Sequence, residues 1–245
     1  MTTNTIKTKG VLYGVGVGPG DPMLLTLKAD DVIGQADVIA YISNKEGHSL
    51  AKSIAQNSID KKARSSFKDL SVALTMNTDR TAINQMYDTA AESIAVYLEE
   101  GKNVAFLCEG DPMFFGSFAY LLARLADKHK IEVIPGICSV HAAAAACKVP
   151  LGLLTERIAI FSGRHSNEEV LHGLNSFENV VILKAGRGRA ELISLIEQAD
   201  RISETCYVEY ASQTEQKIVN DITALKDEAG PYFSLFLVNA NRDYR

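Results

Sequence analysis

The chain of 245 residues is long enough for one large domain or two small ones with real cores. Its 47% apolar and 22% charged residues are ordinary for a globular protein, and a net charge of −5 argues against the broad basic field that nucleic acid requires. No apolar run reaches the roughly 18 residues of a membrane span, and the polar start MTTNTIKTKG lacks the apolar stretch of a signal peptide. Cys108, Cys138, Cys147 and Cys206 form no C-x-x-C pair and no metal-ligand spacing with histidine. They read as reduced, buried thiols in a cytoplasmic protein, with no metal site.

Val11 to Val17 reads as a first strand that runs into a glycine-rich loop, GVGVGPGDP. Asp21-Pro22 then has the form of a helix start, with Leu24, Leu25, Leu27, Ala29, Val32 and Ile33 as its apolar face. Asp37 to Ile42 is a second strand, followed by a helix from about Ser49. Residues 57–70 are polar and basic and read as a connection, and Ser71 to Met76 as a third strand. Ile83, Met86, Tyr87, Ala90, Ile94, Tyr97 and Leu98 fall at helical intervals, with Gly101 as the stop.

Val104 to Cys108 is a continuous apolar run, as in a strand buried on both faces. A helix over Ser117 to Lys128 and a strand in IEVIPG follow. The repeated strand–loop–helix order predicts a parallel sheet. Beyond Gly136 comes a small-residue helix, HAAAAACKVP. Strand candidates then lie at Arg157–Ser162, Val180–Leu183, Thr205–Tyr210, Lys217–Asn220 and Tyr232–Val238, the last ones antiparallel. The expected fold is α/β: two α/β domains, residues 1–135 with a parallel sheet and 136–245 with a mixed one, and a ligand cleft between them.

The opening loop fails the phosphate-binding tests. A dinucleotide fingerprint needs G-x-G-x-x-G, but counting from Gly14 the last position is Pro19, and from Gly16 it is Asp21. Asp21 at a helix entrance would also repel a pyrophosphate. A nicotinamide-dependent oxidoreductase is disfavoured on this ground. A second loop, Cys108-Glu109-Gly110-Asp111-Pro112, also ends an apolar strand and repeats Gly-Asp-Pro. Two acidic glycine loops at strand ends suit a ligand with a positive centre and hydroxyl groups, such as a sulfonium carrying a ribose.

GVGPGDP near the start, GDP after the mid-chain strand, and VIPG before a small-residue helix together resemble the tetrapyrrole methyltransferases, the class III fold of S-adenosylmethionine-dependent methyltransferases. YGVGVGPGDPMLLTLKA, ADVIAYI, LTMNTDR and AFLCEGDPMFFGSFAYLL are similar to the members that methylate C(20) of precorrin-2 in cobalamin biosynthesis. The resemblance covers nearly the full length. It implies a homodimer with S-adenosylmethionine in the interdomain cleft. Carried over by position, the cofactor would touch Gly18, Pro19 and Gly20, then Glu109, Gly110, Asp111 and Phe114. Cys138 and Ser139 follow VIPG, where the family usually has two small hydroxyl residues, so Cys138 departs from the pattern. Lys184 and Ala211 match cofactor positions in the second domain.

The substrate implied is a tetrapyrrole polycarboxylate, precorrin-2 or alternatively cobalt-factor II. Arg164, His165, Arg187 and Arg189 are candidates to hold its carboxylates. Tyr13 and Tyr41, read as lying near strand ends, are further substrate candidates. Glu109 and Asp111 are candidate bases for the proton lost on methylation. A non-enzymatic tetrapyrrole-binding protein is disfavoured, because two loops are shaped for a second ligand.

Overall fold

Parallel pairing of strands around an apolar centre organises the first part of the chain. The computed structural model describes residues 9–61, 67–73, 80–225 and 229–239. The chain divides into two compact units, Met1–Cys138 and Ser139–Arg245. In the first, strands β1 (Val11–Gly16), β2 (Val38–Ser43), β3 (Lys68–Ala73), β4 (Val104–Cys108) and β5 (Lys130–Ile134) form one sheet in the order β3-β2-β4-β1-β5. Every pairing is parallel. β4 is central and buried at every position.

Helices α1 (Leu27–Gln35), α2 (Leu50–Lys61), α3 (Arg80–Glu99) and α4 (Phe118–Leu125) supply the layers. On one face Tyr87, Ile94 and Leu98 of α3 and Phe118 and Leu121 of α4 pack against Leu12, Val104 and Phe106. On the other, Ala29 and Ile33 of α1 and Ile54 and Ala55 of α2 pack against Val15, Ile39 and Leu107.

The start of α1 corrects the sequence expectation. Asp21 does accept from the Met23 N–H at 2.8 Å, but Pro22 opens only a three-residue 3-10 turn. Leu25 is extended, with ψ 137°, so the helical phase is broken. The helix restarts under Thr26, whose hydroxyl accepts from the Ala29 N–H at 3.1 Å. Leu27, expected on the apolar face, is 90% exposed. α2 also runs further than expected: Ser58 and Ile59 are helical and buried, because they repeat the face of Ile54 and Ala55 one turn on. The connection before β3 is correspondingly shorter than residues 57–70. Residues 74–76 of the expected third strand lie outside the described residues.

The second unit holds α5 (Ser139–Cys147), β6 (Ile158–Ser162), α6 (Asn167–Ser176), β7 (Asn179–Leu183), α7 (Arg189–Gln198), β8 (Thr205–Glu209), β9 (Lys217–Val219) and β10 (Ser234–Asn239). Its sheet has the order β6-β7-β10-β8-β9. β6 and β7 are parallel, while β10 is antiparallel to both β7 and β8, and β9 to β8. Val170, Leu174, Ile193 and Ile196 from α6 and α7 pack on Val180, Tyr207 and Phe236. These two helices have no counterpart in the expectations above. The sequence does carry a start signal for α6, a capping box in which Ser166 and Glu169 bond each other's backbone N–H.

Candidate functional site

Because the first sheet is all parallel, the carboxyl ends of its strands share one edge, and the glycine loops lie there. Gly18 and Gly110 form an isolated antiparallel bridge. The Gly110 N–H donates to the Gly18 carbonyl at 2.8 Å, and the Gly18 N–H to the Gly110 carbonyl at 3.3 Å. Both adopt left-handed backbone, φ +83° and +68°, which glycine allows without strain. A third loop, after β5, joins them. A Cβ on Gly16 would lie 2.5 Å from Gly136 N and 2.7 Å from the Gly110 carbonyl, so three backbones touch where no side chain fits.

Asp111 braces this contact. Its Oδ2 accepts from the Gly136 N–H at 3.0 Å and its Oδ1 from the Met113 N–H at 2.8 Å. Glu109 is exposed, and its Oε1 accepts from the Ala51 N–H at 3.3 Å in the first turn of α2. Pro19 is buried and Gly20 half-buried. Phe114 is half-buried, edge-on to Phe115 at 5.1 Å, and Phe115 is itself 46% exposed at φ +51°. Cys138 is half-buried, and burial together with the Asp111 charge pushes its thiol up. Ser139 opens α5.

The second sheet has its own carboxyl edge. β6, β7 and β8 run in one direction and β10 returns, so the loops after the first three meet the segment before β10. Gly163 N–H donates to the Leu183 carbonyl at 2.6 Å, Ala185 N–H to Ser234 at 3.2 Å, and Tyr210 N–H to Phe233 at 2.8 Å. Arg164, His165, Lys184, Arg187 and Ala211 all fall on this edge. Lys184, Tyr210 and Ser212 are left-handed at φ 57°, 50° and 63°. The Lys184 ammonium sits 5.7 Å from the Tyr232 ring centroid. Arg164 and Arg187 are exposed, and Ala211 is buried. His165 is exposed but folds back, its Nδ1 accepting from the Ser162 N–H at 3.0 Å.

Three of the expected residues are placed elsewhere. Arg189 is buried rather than exposed in the loop: as the first residue of α7 it turns inward, bonds Glu209 at 3.1 Å and covers the Tyr207 ring. Tyr41 is 6% exposed in the core, and its hydroxyl accepts from Lys52, which also pairs with Asp69. Tyr13 lies in the middle of β1, short of the loop edge, packed among apolar side chains. The sequence reading missed the Gly16–Gly136 contact and the exposed aromatic pair Tyr232 and Phe233. The pair had a signal, adjacent aromatics just after a Gly-Pro turn.

Residues 11–226 match the Tetrapyrrole (Corrin/Porphyrin) Methylases. The chain is 34% identical over 97% of its length to the cobalamin biosynthesis protein CobIJ of Mycobacterium tuberculosis, and spans about half of that protein, 47%. It is 31% identical to the precorrin-2 C(20)-methyltransferase of a Sinorhizobium species, covering 96% of this chain and 97% of that one. It is 27% identical to the cobalt-precorrin-2 C(20)-methyltransferase of Salmonella typhimurium, covering 96% and 98%. Two solved structures share the fold. Cobalt precorrin-4 methyltransferase CbiF has a TM-score of 0.71 at 22% identity, covering 94% of each chain. The Thermus thermophilus uroporphyrin-III C-methyl transferase complexed with S-adenyl homocysteine has 0.64 at 23%, covering 93% and 97%. With the family pattern spanning both units and the glycine loops gathered at one sheet edge, the chain belongs to the tetrapyrrole methylases.

Proposed function

We propose that this chain is an S-adenosylmethionine-dependent methyltransferase that methylates C(20) of precorrin-2, giving precorrin-3A in cobalamin biosynthesis. The observation that carries the reading is the end-to-end similarity to the Sinorhizobium enzyme, 31% over 97% of its length. The loops fit the methyl donor. Gly110 is half-buried and a Cβ on it would meet nothing nearer than 3.9 Å, so a ligand can lie on bare backbone there, while buried Gly18 backs it from beneath through the bridge between them. Exposed Glu109 suits a sulfonium or ribose hydroxyls, and Phe114 offers apolar surface.

When bound, S-adenosylmethionine supplies a methyl group already made electrophilic by its sulfonium. The chain's own work is placement. Holding the two reacting atoms in line can supply several of the roughly 7–11 kcal/mol available from ideal orientation. Asp111 acts as a brace, since each of its carboxylate oxygens holds a backbone N–H. Glu109, exposed and holding the Ala51 N–H through one oxygen, is the better placed of the two for the proton lost from the methylated carbon. On the second edge Arg164 and Arg187 receive substrate carboxylates, while Lys184 on the same edge serves the cofactor or a further carboxylate.

The test is incubation with precorrin-2 and methyl-labelled S-adenosylmethionine, read by product mass and by the position of the labelled carbon. A label away from C(20), or no product from either precorrin-2 or its cobalt form, sinks the assignment. The cobalt substrate is the second reading, supported by the Salmonella relative; the larger kcat/KM decides between them. The protein is also proposed to be a cytoplasmic homodimer. Exposed Leu153, Leu154, Ile158 and Ile160 offer apolar surface for a second copy. Light scattering that returns the mass of one chain would count against the dimer, and recovery outside the soluble cell fraction against the location.

A further inference from the structure

Two thiols in the second unit touch. Cys147 ends α5, Cys206 lies in β8, and their Sγ atoms are 2.8 Å apart although 59 positions separate them in sequence. Cys147 is half-buried and Cys206 is 8% exposed. Neither takes part in the site described above. We propose that Cys147 and Cys206 are a redox-active pair, a site of reversible disulfide formation by exchange with a small disulfide such as oxidised glutathione.

The chemistry follows from the two exposures. The Cys147 thiolate attacks one sulfur of oxidised glutathione, that S–S bond breaks, and one glutathione leaves as its thiolate. Cys206 then gives its proton to solvent, attacks Cys147 Sγ and expels the second glutathione. Two cysteine thiols lose two electrons and two protons, and one glutathione disulfide becomes two thiols. The resolving step needs no search, because the second sulfur already lies against the first.

The local electrostatics agree with this order. The Cys206 S–H bond holds the Cys147 thiol below its ordinary range, and the same contact together with burial pushes Cys206 up. Cys147 is therefore the entering nucleophile. The other cysteines are poorer ones: burial pushes Cys108 up inside β4, and burial and Asp111 push Cys138 up. The crosslink would tie the end of α5 to β8, the strand that leads into the Tyr210–Ser212 turn. It does not depend on which tetrapyrrole the protein methylates.

The experiment uses the folded full chain and oxidised glutathione, followed by acid quench, alkylation of remaining thiols and digestion without reduction. The expected result is a Cys147–Cys206 linked peptide that dithiothreitol removes, with Cys108 and Cys138 alkylated. The oxidised protein should unfold about 5 °C higher or more, since the bond closes a long loop of the unfolded chain. Cys206→Ser should instead trap glutathione on Cys147, and Cys147→Ser should leave Cys206 unmodified. A wild type that keeps glutathione on Cys147 with Cys206 alkylated, or that links Cys138 instead, overturns the proposal. So does a wild type that forms neither product, and none of these outcomes requires a variant to fold.

Discussion

The carboxyl edges of the two sheets are built in opposite ways. At the first, glycines remove side chains so that three loops meet backbone to backbone, and Asp111 ties two of them together. At the second, Lys184, Tyr210 and Ser212 keep full side chains in left-handed backbone, which costs about 1–2 kcal/mol each. Such residues persist only where their surroundings over-determine them. Here the Arg189–Glu209 pair is set directly before Tyr210, and the Tyr210 N–H is held by Phe233. The first edge is therefore specified by what its residues lack. The second is specified by the side chains its residues keep and by the contacts that hold them.

If that contrast is right, the largest loss comes from Arg189→Ala. It leaves Glu209, whose side chain is 12% exposed, without its cation. Breaking a buried pair from one side costs about 3–5 kcal/mol, measurable by urea unfolding. A loss below about 1 kcal/mol would mean that the second edge is held by something else. Arg189→Met with Glu209→Gln should recover part of the stability, since no uncompensated charge remains.

The first edge should break at its tight glycines rather than its open ones. Gly16→Ala meets Gly136 N at 2.5 Å, so the loops must part, at about 3 kcal/mol. Gly18→Ala meets nothing closer than 3.4 Å and pays only for its positive φ, about 1–2 kcal/mol. Equal losses at the two positions would erase the distinction between packing and conformation. A third variant, Asp111→Ala, leaves the Gly136 and Met113 N–H groups without their acceptor, at about 2 kcal/mol. Were Asp111 the catalytic base instead, the variant would lose turnover while its unfolding midpoint stayed near wild type.

The same contrast explains what the sequence made legible. The apolar run of β4, the spacing along α3 and the strand–loop–helix order are local signals, and each appears as an element near its expected place. The glycine loops were legible too, because a run of glycines at a strand end has few other uses. The Asp-Pro start was ambiguous, because one cap serves a 3-10 turn and an α-helix equally well. Arg189 was opaque for a different reason. In KAGRGR it stands two positions from Arg187, yet α7 turns one inward and leaves the other exposed. Its partner Glu209 is 20 positions away, as Gly136 is 25 from Asp111. Nothing within either motif announces the other half.

Arg187 gives the smallest effect on folding and the sharpest test of the second edge as a substrate surface. It is exposed, so Arg187→Ala should change stability by about 0.5 kcal/mol or less. If its guanidinium grips a substrate carboxylate, the lost charge-assisted bond is worth about 1.5–3 kcal/mol, or roughly tenfold or more in KM. Calorimetry with S-adenosylhomocysteine should be unchanged, which separates Arg187 from the residues proposed to hold the cofactor. Added salt should raise the wild-type KM more than the variant's, because only the wild type has that attraction to screen. Arg187→Lys should fall between the two, keeping the charge but not the planar fork that matches a carboxylate. An unchanged KM in Arg187→Ala would move the grip to Arg164 and Lys184 on the same edge, and an unchanged KM in all three would take the substrate off this edge altogether.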